Sequence, residues 1–388
     1  MTDDARELFR SRIAETLEVA PDQVMLFARG RVALYAILRA LGIGPGDEVI
    51  VPAFTCVAVP NAILYTGARP TWADIDPETY CLDSASVKKT ITVRTRAVLA
   101  QNTFGLSADL DAIMAVARQV RLQVIDDCTH GLGGRYRGKP NGATAPLSFF
   151  STQWSKPIST GLGGFAVDRD GAHAEWLRTL EREAAEPSAV RTGVLRTLLF
   201  GRERAGAGRL FRGGRTTYRR LSRLGIVPGS SGQDELEGAT MPDGFLARLS
   251  NAQAKLGADR LGRLPTEIAR RREVAHRYSD WLVTHGRTSA TESAEAEHAF
   301  LRYPLRVSNR QRFQSAAERA GIDLGDWFVS PVHPATEHLE RWGYVTGYAP
   351  NAERACHEIV NLPTDPTFAE RDVERVLTFM ARCVDLIL

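Results

Sequence analysis

The sequence predicts an α/β protein: a mostly parallel central sheet sandwiched by helices, followed by a smaller C-terminal α+β domain. Three observations predict it. Apolar runs such as Glu48-Val-Ile-Val-Pro52 and Leu122-Gln-Val-Ile125 read as short strands buried on both faces. Segments with helical spacing alternate with them, as in βαβ units. A chain of 388 residues also exceeds what one core usually serves, so two domains are expected.

Taken in order, Asp3 to Leu17 has the apolar spacing of an N-terminal helix. Met25 to Arg31 leads into Val32 to Leu41, an apolar run of good helix formers. Gly42-Ile-Gly-Pro-Gly-Asp47 is a turn before the strand Glu48 to Pro52. A helix at Val57 to Tyr65 precedes the strand Arg69 to Ile75, and a further helix covers Ser84 to Ile91. Strand Ala97 to Gln101, helix Leu110 to Val120 and strand Leu122 to Asp127 continue the alternation, and Phe149 and Phe150 end another strand. After Asp168 a helix runs through Trp176 to Glu186, and then the pattern changes. Between Val190 and Arg223 ten arginines face one acid, Glu203. That segment reads either as a solvated insertion or as an electropositive collar for a phosphorylated substrate. From Met241 a long helical region continues through Asn251-Ala-Gln-Ala254 to Trp281. Phe300 to Val307, Gln311 to Ala320 and Arg371 to Leu388 supply the mixed elements of the second domain. The expected division is 1–264, with an arginine-rich insertion at about 187–240, and 265–388.

Composition removes several function classes. Hydrophobic content of 44% and charged content of 24% are ordinary for a globular protein. A net charge of +3 does not argue for nucleic acid. No apolar run reaches bilayer length, and Met1 to Thr16 is too charged for a secretory signal. The five cysteines are scattered and lack a C-x-x-C pair, which points to a reducing cytoplasm and away from structural zinc. Neither a G-x-G-x-x-G fingerprint after the first strand nor a G-x-x-x-x-G-K-[ST] loop occurs, disfavouring dinucleotide binding and nucleotide hydrolysis.

The chemistry concentrates where a parallel sheet presents the carboxyl ends of its strands. Lys156 follows the strand ending at Phe150 and precedes a glycine turn. A lysine there is either a solvated loop residue or an activated amine, because burying an ammonium is costly. Asp126 and Asp127 close their strand, and serve either as caps of the next segment or as a partner for a buried cation. Thr129 lies two residues on, placed to support the flat face of a ring. His130, with no second histidine at ligand spacing, suits a hydrogen bond to a phenolic oxygen or substrate rather than a metal. Ser151 offers a hydroxyl, and Gly30, flanked by Arg29 and Arg31, leaves N–H groups at a positive helix end for an anion. An amine, an ionised aspartate and phosphate donors from two segments are the parts that pyridoxal 5'-phosphate requires.

The chain resembles the DegT/DnrJ/StrS aminotransferases, fold-type I pyridoxal-phosphate enzymes that mostly aminate nucleotide-linked keto sugars. The resemblance runs through Leu41 to Pro52, Asn61 to Pro70, Asp74-Ile-Asp-Pro77 and Val124-Ile-Asp-Asp-Cys-Thr-His130. Lys156 with Gly164, and Asn361-Leu-Pro-Thr-Asp-Pro366, complete it. It implies Lys156 as the Schiff-base lysine and proton shuttle, Asp127 at the pyridine nitrogen, and Ser151, Gly30 and Arg31 at the phosphate. His130 takes the place near the phenolic oxygen, and Arg248 lies in a segment that reaches into a partner's site, implying a homodimer. Three departures stand out. Cys56 replaces a ring-stacking aromatic, leaving the stack lost or supplied by Phe54 or another residue. Leu246 replaces an asparagine, and Arg31 replaces a threonine.

The expected reaction is transamination from an amino donor, glutamate or glutamine by resemblance, to a keto or aldehyde acceptor. The acceptor is read as a nucleotide-linked keto sugar, with Trp327-Phe328 and His333 either covering it or belonging to the core. The rivals are another pyridoxal-phosphate reaction on an amino acid and a cofactor-binding regulator without turnover; no helix-turn-helix supports a DNA-binding form of the latter.

Overall fold

The computed structural model describes residues 4–188, 192–195, 197, 198, 201, 235, 236 and 240–388. The ten arginines of Val190 to Arg223, and with them the proposed collar, lie outside the described residues.

Seven strands form the central sheet among the described residues: β1 (Val24–Phe27), β2 (Glu48–Pro52), β3 (Arg69–Ala73), β4 (Thr95–Gln101), β5 (Gln123–Asp127), β6 (Leu147–Ser151) and β7 (Gly164–Asp168). Their order is β1-β7-β6-β5-β4-β2-β3. The ladder from β3 to β6 is parallel, whereas β7 pairs antiparallel with both β6 and β1. Strands β1, β2, β6 and β7 are buried at every position, which accounts for the mostly apolar residues between their ends.

The helices follow the expected alternation: α1 (Asp4–Leu17), α2 (Gly30–Ala40), α3 (Ala58–Leu64), α4 (Ser84–Thr90), α5 (Leu110–Gln119) and α6 (Ala174–Glu183). Asp83 caps α4 by accepting the N–H groups of Ala85 and Ser86. Two strands, β1 and β7, are additions to the expected set: β7 pairs antiparallel between β6 and β1, and β1 forms the edge. The expected long helix after Met241 is two helices, α7 (Asn251–Leu261) and α8 (Leu264–Thr284). Pro265, lacking an N–H, sits in the first turn of α8, where none is needed.

Beyond α8, β8 (Tyr303–Arg306) and β9 (Ile359–Leu362) pair antiparallel, with α9 (Arg310–Arg319), α10 (Pro350–Glu358) and α11 (Glu370–Arg382) around them. The segment Val332–His333 pairs parallel with Thr55–Cys56, setting His333 opposite Cys56. This ladder brings the C-terminal part of the chain onto the carboxyl edge of the sheet. One apolar cluster runs from α2 and β2–β6 into Phe300, Tyr303, Leu305, Phe328 and Val360. No helix among the described residues is long and apolar enough to cross a membrane, and none of their His, Cys, Asp and Glu side chains group as a metal site.

Candidate active site

A cavity at the carboxyl ends of β5 and β6 is lined by Gly30, Arg31, Cys56, Thr129, Ser151 and Lys156, together with Arg29, Phe149 and Gln153. They reach it from several elements: Gly30 and Arg31 from α2, Phe149 and Ser151 from β6. Ser151 ends β6, and the loop after it is closed at its base by Thr152 N–H to Gly163 C=O (2.9 Å) and Thr160 N–H to Thr152 C=O (2.7 Å). Lys156 lies within this loop, its own N–H donating to Gln153 C=O at 3.0 Å. Loop closure demands glycine. A Cβ on Gly163 would lie 2.2 Å from Thr152 Oγ1, and one on Gly164 would lie 2.3 Å from the backbone nitrogen of Gly30.

That second contact fixes the start of α2 against the sheet. A Cβ on Gly30 would likewise meet the carbonyl of Phe150 at 2.9 Å and Ser151 Cβ at 3.0 Å. The first N–H groups of α2 thus open beside the Ser151 hydroxyl, a cradle for an anion. The flanking arginines converge on a carboxylate that sequence reasoning missed. Glu235 pairs with Arg31, and its second oxygen lies 3.7 Å from Arg29. Its side chain is only 1% exposed, and its carbonyl accepts Asn61 Nδ2 at 2.8 Å. A separation of more than two hundred residues left no local signal for this pairing.

Asp126 and Asp127 occupy opposite pleats of β5. Asp127 is buried, and its Oδ1 accepts the Thr129 N–H at 2.9 Å. Burial raises its pKa, while the Thr129 bonds and the charge of Lys156 act in the other direction. Burial pushes the Lys156 ammonium down to about 8, and Asp127 opposes that fall. Each charged group therefore favours the other's ionised form in a site that resists charge. Asp126 turns away from the cavity, accepting Asn102 Nδ2 at 2.7 Å and the Gly142 N–H at 2.9 Å.

His130 is buried and does not line the cavity. Its Nδ1 accepts the Phe104 N–H at 3.3 Å, which leaves the proton of the neutral ring on Nε2. Burial first, then the charges of Lys156, Arg302 and His333, hold it well below the ordinary imidazole range. Phe54 does not take over the stack that Cys56 lacks: it is fully buried against Tyr80, Phe104 and Phe328. Arg248 also stands apart from the cavity, with its N–H on Ala185 C=O and Nη1 2.9 Å from Glu186.

The donor set fits pyridoxal phosphate: an amine with a lowered pKa, a buried carboxylate at a strand end, and a cradle whose tightness excludes a Cβ. Comparison with known proteins agrees. The DegT/DnrJ/EryC1/StrS aminotransferase family matches residues 5–201 and 215–381. GDP-perosamine synthase of Caulobacter vibrioides is 30% identical over 357 residues, covering 90% of this chain and 82% of that protein. L-glutamine:scyllo-inosose aminotransferase of Streptomyces griseus is 34% identical over 291 residues, 75% of this chain and 60% of the other. Among solved structures, DesV of S. venezuelae superposes with a TM-score of 0.78 at 26% identity, over 98% of this chain and 89% of that one. The chain belongs to the DegT/DnrJ/EryC1/StrS family and is a pyridoxal-phosphate-dependent aminotransferase.

Proposed function

We propose that this enzyme moves an amino group from glutamate or glutamine to the ketone of a nucleotide-linked sugar. The acceptor class is supported by relatives named for such substrates, GDP-perosamine synthase and the UDP-N-acetyl-3-dehydro-α-D-glucosamine 3-aminotransferase of Acidithiobacillus ferrooxidans, the latter 28% identical. The donor is supported by the S. griseus relative, named for L-glutamine. The observation that carries the site assignment is the meeting of Lys156, Ser151 and Gly30 around one cavity, with Asp127 bonded to Thr129 of its wall.

Pyridoxal phosphate, when bound, supplies the carbonyl carbon that takes up and releases the amino group and a ring that draws electrons from the reacting carbon. Lys156 Nζ removes the donor's α-proton and returns a proton on the acceptor side. A pKa of about 8 leaves roughly a tenth of the amine neutral at pH 7, against well under a thousandth for an ordinary lysine. Asp127 holds the proton of the ring nitrogen, and Thr129 supports the ring's face. The N–H groups at Gly30 and Arg31 and the Ser151 hydroxyl bind the phosphate oxygens. His130, behind the cavity lining, would offer Nε2–H toward the phenolic oxygen, and Cys56 would border the cofactor.

Arg248 completes the site of a second copy, so the enzyme is a homodimer; its distance from its own cavity supports this reading. The division at residue 264 coincides with the start of α8. Five cysteines without a disulfide support a cytoplasmic setting. Absorption spectra before and after addition of L-glutamate or L-glutamine, with mass analysis of the products from a nucleotide-linked keto sugar, test the reaction. A spectrum that changes with the donor and a product gaining donor nitrogen are expected. A spectrum indifferent to every amino donor overturns the assignment.

A further inference from the structure

Trp327 and Phe328 are neighbours in the chain with different placements. Phe328 is buried, its ring 5.0 Å from Phe54 and 5.9 Å from Phe104 between centroids. Trp327 is half-buried; its ring lies 5.1 Å from Lys156 Nζ and stacks on His130 at 4.5 Å with planes 14° apart. Phe328 anchors the pair, and Trp327 is presented toward the amine.

The presentation is rigid. Asn361 Oδ1 accepts the Trp327 N–H at 3.1 Å, and Asn361 Nδ2 donates to the Trp327 carbonyl at 2.7 Å. Asn361 belongs to β9, so a sheet residue holds both sides of the Trp327 main chain. Arg310 holds the flanking carbonyls of Phe328 and Asp326, each at 3.0 Å. An indole fixed in this way is in place before any ligand arrives, which lowers the ordering cost of binding.

We propose that Trp327 determines acceptor specificity, its indole carrying the ring of a cyclic ketone next to the reacting carbonyl. The proposal rests on the aminotransferase reading above and names the residue that selects the acceptor. Distance chooses which part of the acceptor it meets. A carbon exchanging nitrogen beside Lys156 lies within a few ångströms of Nζ, so the group on the indole is the keto ring rather than the nucleotide beyond it. Charge chooses acceptor over donor. An amino acid brings a carboxylate that seeks a cation such as Lys156 or Arg302, whereas the indole of Trp327 is itself uncharged. The C–H groups of a cyclic sugar or cyclitol suit an uncharged aromatic face.

The test uses the cofactor-loaded enzyme and its Trp327→Ala and Trp327→Phe variants. The donor half-reaction with L-glutamate and L-glutamine is followed by absorbance. The acceptor half-reaction is followed with UDP-N-acetyl-3-dehydro-α-D-glucosamine, scyllo-inosose and acyclic pyruvate, and calorimetry measures binding of the two cyclic ketones. Trp327→Ala is expected to weaken binding of the cyclic ketone and raise its KM by about tenfold or more. Its donor half-reaction is expected to lose clearly less than its acceptor half-reaction, and Trp327→Phe recovers most of the loss. Equal loss in both halves, no loss in either, or a wild-type enzyme that aminates pyruvate and neither cyclic ketone overturns the proposal. A wild-type spectrum unmoved by any donor is a separate result, because it overturns the aminotransferase reading and this proposal with it.

Discussion

Asp127 and Lys156 are held from two different strand ends in mutual electrostatic reach, and each opposes the pKa shift that burial imposes on the other. For the lysine, burial is the larger effect and lowers its pKa to about 8, while the aspartate pulls it back up. Removing that negative charge must lower the amine's pKa further. We predict that in cofactor-free protein the labelling of Lys156 by an amine-reactive reagent, read peptide by peptide in a mass spectrometer, rises with a midpoint near 8. In Asp127→Asn the midpoint moves lower. A midpoint in the range of an exposed lysine, or one that rises in the variant, contradicts the arrangement.

Lys156→Ala tests the role of the amine itself. Loss of a positioned proton carrier is expected to cost at least about 10²–10⁴-fold in turnover. Because the phosphate cradle and Asp127 remain, the variant should still bind pyridoxal phosphate, measured by dialysis and phosphate analysis. Wild-type turnover in this variant contradicts the assignment of Lys156.

Asp126 is the buried carboxylate that does no chemistry, and its effect should appear as pH-dependent stability. Burial raises its pKa from an ordinary 3.8 to about 6, against the bonds from Cys128, Asn102 and Gly142. A raised acid favours the folded state when protonated. The contribution is therefore full below the unfolded value, falls as pH climbs through about 4 to 6, and is absent above. Two units correspond to about 3 kcal/mol. Denaturant unfolding of the wild type and of Asp126→Asn across pH 4–7 should show their difference in stability shifting by that order toward the variant as pH rises. A pH-independent difference is the contrary result.

The parallel sheet was legible because β2, and β4 and β5 apart from Arg96 and Gln123, are buried, so their residues are mostly apolar on both faces. Lys156, Asp127 and Ser151 were legible for a related reason: each closes or follows such a strand, where a polar residue next to an apolar run stands out. Strand β1 was not, since four apolar residues before a helix carry no period of their own, and only pairing with β7 makes them a strand. Nor was the split between Trp327 and Phe328, because composition cannot say which of two adjacent aromatics turns inward. Glu235 was invisible in principle. Its contact with Arg31 arises from chain return rather than from spacing.

The glycines that press α2 onto β6 and β7 give a prediction with a built-in control. A methyl on Gly164 meets backbone atoms of Gly30 and Arg29 at 2.3–2.6 Å, and backbone gives way only if the helix start moves. Gly164→Ala should cost about 1–3 kcal/mol of stability and weaken binding of pyridoxal phosphate or inorganic phosphate, since the cradle shifts with the helix. At Gly44 the nearest atom to an added Cβ is 3.6 Å away, so Gly44→Ala should leave both unchanged. Equal effects at the two positions contradict a cradle set by close approach.

Arg31 and Glu235 are a buried pair, their side chains 7% and 1% exposed. Two charges taken out of water are tolerable together and costly apart, because the survivor keeps the desolvation penalty without the attraction. Arg31→Met or Glu235→Leu alone should therefore destabilise the protein by about 3–5 kcal/mol in denaturant unfolding without cofactor. The double variant should lose clearly less than the sum of the two, because neither Arg31 nor Glu235 is left buried without the other. Arg29, 3.7 Å from the same carboxylate, makes Glu235→Leu the costlier single change, since it takes that carboxylate from two guanidinium groups. Strict additivity in the cycle means that the two side chains do not stabilise one another.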